Sequence, residues 1–457
     1  MVGKNYEERF EGLADKIFKN AKADELEVRI SHNDSALTRY ANSKIHQNIA
    51  RNNFNLAIRA VFGKKIGSAT TNALDEDAAL NCLTRAENIA RNQRKDPDFK
   101  SLPDVKGLKD KKDIYIDKTA DHSPDQKAEK VKEIIEMANE KGVDRVYGAF
   151  KTESSGLFVA NSHGVEGFSR LTSSNITTCA IADWDNDQGF GWGEMCSADV
   201  SDIDHLHVAK TAVEKGLNNL DPKKIKPGEY DVILEPLAAK DILIYLDMMG
   251  FSAKSVQEER SFMNGKFGDK IMDERINIYD DVSDADMIGF PFDYEGVPKQ
   301  RVDIIKEGVA NKVVYDSYTA GREKDKESTG HALAMPNPMG PLAMNLLMDT
   351  GDYPLEDMIQ ETEKGILVTR FNYCNPVHPV KGILTGLTRD GTWLVENGEL
   401  KHPLKNLRFT QNLIDAFNNI ESIGKERKLY SMGYWPAYFV SPALKISDFR
   451  FTGTTEF

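Results

Sequence analysis

Two periods of apolar residues alternate along the first part of the chain. Tyr6, Phe10, Leu13 and Ile17 recur at helical spacing after a capping-box-like start at Asn5 and Glu8. Leu26, Val28 and Ile30 alternate with Glu25, Glu27, Arg29 and Ser31, which predicts a strand with one wet face. Phe54, Leu56, Ile58 and Phe62 mark a second strand, and Ala79, Leu83, Ala86 and Ala90 one side of a helix from about Asp75. Residues from about 93 to 122 are polar and punctuated by Pro97 and Pro103, and read as a surface connector. Ser123, Pro124 and Gln126 open another helix with the stripe Val131, Ile134, Ile135 and Ala138, and Gly142 suits its C-cap. Between Gly156–Ala160 and Val165–Phe168, the run Asn161-Ser162-His163-Gly164 predicts a hairpin turn, because Asn and Gly tolerate positive φ. A helix from about Ser201 to Gly216 follows.

Pro222 and Pro227, with Lys223, Lys224 and Lys226 between them, mark a boundary. Beyond it come a strand (Tyr230 to Leu234), a short helix (about Leu237 to Met249) and a long glycine-punctuated region. Asp390-Gly391 and Asn397-Gly398 are turn signals that make this region β-rich. The expected architecture is α+β. A mixed N-terminal domain with an antiparallel sheet spans 1–220, including the connector, and a β-rich C-terminal domain with a short helix at its start spans 229–457.

The 457 residues carry 59 basic against 72 acidic side chains, a net charge of −13. That acid excess argues against nucleic-acid binding, which needs a basic field. No apolar run is long enough to predict a membrane helix, and the charged N-terminus has no secretory core, so a cytoplasmic protein is expected. Cys82, Cys179, Cys196 and Cys374 are far apart and form no CxxC pair.

Several local groupings invite a chemical role. His205 and His207, near Asp202 and Asp204, suggest a metal, but side chains two apart on a helix diverge, and Ser201 reads as the N-cap. Asp183 to Asp187 with Glu194 imitates part of a calcium loop, yet Gln188 stands where glycine is needed. Gly189-Phe190-Gly191-Trp192-Gly193 reads as a strand lying against another backbone, not as a phosphate loop. Cys374 and His378 could be nucleophile and base, though a packed-away cysteine explains the same residues. His331 has no partner identifiable from sequence. Asp293 and Glu295, on one side of a possible strand before Gly296, could pair as acid and base or end a polar strand.

A wider pattern resembles the TldD/PmbA family, a peptidase-related family once labelled modulators of DNA gyrase. Its segments are ordered along the chain: Arg260-Ser261-Phe262 to Gly268, Ile278-Tyr279-Asp280-Asp281, Phe292 to Pro298, Tyr318-Thr319-Ala320 and Ser328-Thr329-Gly330. The most specific piece, Leu387-Thr388-Arg389-Asp390-Gly391-Thr392-Trp393-Leu394-Val395-Glu396-Asn397-Gly398-Glu399, resembles the family's TGxTRDGTxLIENGE. Val159 to Gly164 resembles a milder NSxG hairpin.

The resemblance also divides the family into two kinds of subunit. The zinc-bearing TldD type carries His-Glu-x-x-x-His before the Ser-x-Phe segment and a cysteine near the C-terminus. Here Ile244, Tyr245 and Met249 occupy the His, Glu and His places, and no cysteine follows Cys374. Isoleucine has no ligating atom, tyrosine is a poor base at neutral pH, and methionine is too soft for hydrolytic zinc. The resemblance therefore implies a metal-free TldE/PmbA-like subunit with no catalytic residue, metal or cofactor of its own. Zinc is expected in a TldD-like partner, the two forming a dimer or hetero-oligomer around a cavity for extended or unfolded peptides. Asp293, Glu295 and Gly296 are its candidate cavity-lining residues. Two alternatives stay open: a stand-alone hydrolase using Cys374, His378, Asp293 or Glu295, and a non-catalytic homo-oligomer that binds peptides or protein.

Overall fold

The computed structural model describes residues 6–105, 108, 114–184, 187–433 and 436–455. Among these residues the strands form two sheets. The first contains β1 (Glu25–Ala41), β2 (Lys44–Phe62), β3 (Lys65–Thr71), β4 (Arg145–Asn161), β5 (Glu166–Trp184) and β6 (Asp187–Ser197). It is antiparallel throughout, in the order β3-β2-β1-β4-β5-β6. Val28 pairs with Ile58 on one side and Ala160 on the other, so the period-2 apolar sets of three strands share one face. Helices α1 (Tyr6–Asn20) and α2 (Glu76–Asn92) cover one part of that face. After the short α3 (Asp117–Ala120), α4 (Pro124–Glu140) and α5 (His205–Asn218) cover the rest.

Local chemistry sets these elements. Asp75 caps α2 through the Ala78 N–H, and Ser123 with Gln126 makes the full capping box of α4. The start of α5 differs from the expectation. Asp204 caps it, while Ser201 lies in a separate 3-10 turn that Asp199 caps. A Cβ at Gly189, Gly191 or Gly193 would come within 2.1, 2.1 and 2.2 Å of α5 carbonyl oxygens. The alternating glycines therefore let α5 lie directly on β6. Asn5, in the expected cap of α1, is outside the described residues.

The other face of this sheet is not wet. Glu27, Arg29 and Arg59 are buried on it, because the C-terminal half covers them. Leu157 and Val159 pack there against Leu108, Val165 and Phe292. The connector is corrected in the same way: Phe99, Leu102 and Leu108 are buried.

The second sheet holds β7 (Gly228–Leu234), β8 (Ile278–Asp280), β9 (Val302–Lys306), β10 (Val309–Ala310), β11 (Asn345–Met348), β12 (Lys364–His378), β13 (Ile383–Glu396), β14 (Glu399–Pro403), β15 (Leu407–Asn412), β16 (Ile420–Ser431) and β17 (Tyr438–Thr454). Strands β17, β15, β13, β12 and β7 pair in succession, and β7 pairs again with β17, closing a ring. Phe371, Phe409 and Phe449 meet in its core, with centroids 4.6 and 5.5 Å apart along the chain of contacts. From β17 the sheet continues through β11, β8, β9 and β10. The architecture is α+β, with an antiparallel N-terminal sheet and a β-rich C-terminal one.

Asn397-Gly398 makes the expected turn, between β13 and β14. Asp390-Gly391 does not. It is a bulge inside β13, where Asp390 takes positive φ and its carboxylate pairs with Arg370 of β12.

Candidate functional site

Helix α6 (Pro236–Leu246) begins with proline at its first position, where the missing N–H leaves no bond unmade, and buries Leu237, Ile242, Leu243 and Leu246. At Asp247 it widens into a π-turn that runs to Phe251. Two later residues hold that turn. A Cβ on Gly250 would lie 2.2 Å from the Phe262 ring, so only glycine fits beneath it. Ser261 Oγ donates to the Gly250 carbonyl at 2.8 Å and accepts from the Met263 N–H at 3.0 Å. The Ser261-Phe262 segment is thus the brace of the helix end. Ser261→Ala removes both of these buried bonds, and is expected to cost about 1–3 kcal/mol, read from urea unfolding.

Ile244 and Tyr245 line a cavity of about 440 Å³. Met249 is instead packed in the core. On a regular α-helix, residues five apart diverge by about 140°, and the i→i+5 bonding of a π-turn reduces that divergence. The side chains at these positions do not fit a hydrolytic metal. Among the described residues no three His, Cys, Asp or Glu side chains are grouped to hold one.

The far wall of the cavity is the Arg370–Cys374 stretch of β12, and Met339, Leu342, Ala343, Met344, Met432, Ala437 and Phe439 also line it. Tyr245 donates its hydroxyl to the Cys374 carbonyl at 2.7 Å. Asp241 accepts from Lys240 at 2.6 Å and from the Phe371 N–H at 3.0 Å. Arg370, paired with Asp390, lies 4.2 Å over the Trp192 ring. Asp247 is 4% exposed and accepts from the Ala343 N–H at 3.3 Å. Burial pushes its carboxyl up to about 8; the Ala343 N–H works against the shift and the Asp280 charge adds to it.

Cys374 stands in the cavity wall, but burial and then the Asp241 charge push its thiol well above the usual range, away from thiolate. His378 is exposed four residues further along the same strand, roughly 13 Å away by strand rise. The two are not brought together.

The candidate acid pair lies elsewhere. Residues 292–298 form a tight turn closed by a Phe292·Pro298 bridge, not a strand. Asp293 Oδ1 accepts from the N–H groups of Glu295 and Val297, both at 2.9 Å, and its Oδ2 from the Ala332 N–H at 2.8 Å. Burial, with the Glu295 charge, raises its carboxyl to about 8. Asp293 lines a separate void of about 30 Å³. Glu295 faces the first sheet, accepting from Arg59 at 3.0 Å and from the Ser317 N–H at 3.1 Å. Gly296 has φ +77°, and a Cβ there would sit 2.5 Å from Val165. Glu295 and Gly296 join the two halves and do not line the cavity beside α6.

The remaining groupings resolve as structure. His331 sits between Thr329 (2.9 Å) and Asp280 (3.0 Å), fully enclosed. Burial pushes Asp280 upward, but His331 and Lys299 outweigh it and hold the carboxyl below its ordinary value. His205 contacts Glu133 at 2.5 Å while His207 is exposed. Asp183 pairs with Arg145, and Glu194 accepts from Asn175 and Trp192. Asp185 and Asn186 of the calcium-like run are outside the described residues. Sequence reasoning missed Asp247. Its signal was a lone acid within the otherwise uncharged run Ile242–Met249.

The cavity thus sits at the degenerate motif positions of a two-sheet α+β chain. Family models match in order along it: PmbA/TldA metallopeptidase domain 1 at residues 26–90, the central domain at 117–220 and the C-terminal domain at 227–453. The chain belongs to the PmbA/TldD family. It is 26% identical over 418 residues to the metalloprotease PmbA of Escherichia coli O157:H7, covering 89% of each chain. A metalloprotease of Methanocaldococcus jannaschii is 24% identical over 426 residues, covering 90% of this chain and 92% of that one. In fold the chain is similar to the crystal structure of TldE from Thermococcus kodakarensis, with TM-score 0.88, 22% identity, and coverage of 97% and 100% of the two chains. A putative modulator of a DNA gyrase from Thermotoga maritima gives TM-score 0.86 at 21% identity, with 97% and 100% covered.

Proposed function

We propose that this chain is the metal-free partner subunit of a TldD/TldE-like heteromeric metallopeptidase that processes or degrades extended or unfolded peptides, with zinc supplied by the other subunit. The observation that carries this reading is the cavity at Ile244 and Tyr245, built on a π-widened helix whose motif positions carry Ile244, Tyr245 and Met249 in place of a His-Glu-His set. The mouth of that cavity supports a partner. Met248, Met339 and Tyr373 are exposed cavity-lining residues, and Val377 and Val380 are exposed in the adjoining segment. Such a concentration of large apolar side chains suits a protein interface. The same face could pair with a second copy of the chain, which is the homo-oligomer alternative.

Co-expression with a zinc-bearing relative from the same genome distinguishes the two. A stoichiometric complex with chelator-sensitive peptidase activity is expected, whereas the chain alone stays a metal-poor, inactive species. Tyr373→Asp is expected to weaken the complex by about 30-fold or more, the scale of an interface hot spot, read by titration. Stoichiometric zinc and hydrolysis by the chain alone would overturn the proposal, and absence of a stable complex would favour the homo-oligomer.

A further inference from the structure

The cavity beside α6 combines pliable apolar walls with one ionisable group whose bonding is incomplete. Met248, Met339, Met344 and Met432 come from three segments, and unbranched thioether chains adapt to varied shapes. Asp247 lines the same space while more than nine-tenths buried. Its Oδ1 takes the Ala343 N–H, and its Oδ2 has no hydrogen-bond partner among the described residues.

Of the other charged and titratable groups around it, Tyr373 is exposed at the mouth and the charged ones are engaged. Lys240 and Asp241 on α6 hold each other, and Asp241 also takes the Phe371 N–H. On β12, Arg370 is paired with Asp390 and Cys374 is a buried thiol. Tyr245 donates to the Cys374 carbonyl. Asp280 on β8 faces His331.

We propose that this cavity is a side-chain pocket for lysine in an extended peptide, its four-carbon stem lying along the methionines and its ammonium meeting Asp247 Oδ2. The proposal rests on the peptide-binding reading above and names the side chain that reading would recognise. An aliphatic stem with a compact charge at its tip matches an apolar passage ending at a carboxyl group. Lysine fits better than arginine because one carboxyl oxygen is already engaged, leaving a single acceptor where a guanidinium fork needs two. A purely apolar side chain would fill the walls but shut Oδ2 away unpaired.

The test uses the full chain, alone and in complex with a zinc-bearing relative. The probes are acetyl-Ala-Ala-Lys-Ala-Ala-amide and the same peptide with norleucine in place of lysine. Calorimetric titration at pH 7 is expected to show the lysine peptide binding at least about 10-fold tighter, the scale of one charge-assisted hydrogen bond. Binding should also release close to one proton, measured by comparing buffers of different ionisation enthalpy, because an ammonium holds the Asp247 carboxyl ionised. The norleucine peptide should release none. Asp247→Asn should abolish the lysine preference, and the proton release on the unsubstituted chain tests the pocket even if that variant fails to fold. Equal affinities, absent proton release or a lysine preference that survives Asp247→Asn would overturn the lysine pocket while leaving the peptide-binding reading intact. Failure of both peptides to bind would overturn both.

Discussion

Replacing Arg59 with methionine is expected to cost about 3–5 kcal/mol of folding stability, the scale for removing one partner of a buried ion pair. Arg59 of β2 bonds both Glu27 of β1 and Glu295 of the 292–298 turn, and all three side chains are buried. Burial already raises Glu27, opposed by the Arg59 charge and reinforced by Glu295. Without the guanidinium, two carboxylates face each other in a dry interface between the halves. Lower pH should relieve part of the loss by protonating one of them, so urea unfolding should show a larger deficit at pH 8 than at pH 5. Adding Glu27→Gln and Glu295→Gln should recover much of it. An Arg59→Met variant as stable as the parent at pH 8 would show that the cluster does not bind the halves together.

The second large effect belongs to Asp247. Its folded carboxyl titrates at about 8, against about 4 in an unfolded chain. Between those values the unfolded state has released its proton and the folded state has not. Stability from this group is therefore full below about pH 4 and falls by about 1.4 kcal/mol per pH unit until the folded group ionises. Asp247→Asn cannot ionise, so its advantage over the parent should be small at pH 4–5 and reach several kcal/mol by pH 8. Asp293 adds a slope of the same sign to both proteins, so the difference between their unfolding curves isolates Asp247. Parallel curves across this range would mean that the carboxyl is already ionised in the folded protein.

Local patterns made much of the fold legible. The stripes of α1, α2 and α4, the Ser123 cap and the Asn161–Gly164 turn depend on near neighbours, and the alternating glycines of β6 pointed to close backbone contact. What could not be read depends on residues far away in the chain. Glu27 and Arg29 look like a wet strand face until residues 292–298 cover them. Asp390-Gly391 has the composition of a hairpin turn, and only its pairing with β12 reveals a bulge. The motif positions led to α6, but the cavity also needs residues 339–344 and 370–374, which no spacing rule relates to it. Asp293 and Glu295 were noticed as carboxylates of one turn. Their separate roles follow from partners at Ala332 and Arg59.

The ring closure of β7 on β17 carries a consequence for biosynthesis. Strand β7 leaves the ribosome some 200 residues before β17, and both its final neighbours, β12 and β17, come later. Until residues 438–454 emerge, the open edges of β7 and β15 stay available to other strands, including those of neighbouring nascent chains. Translation of this half therefore passes through a long interval in which unpaired β-edges are open to aggregation.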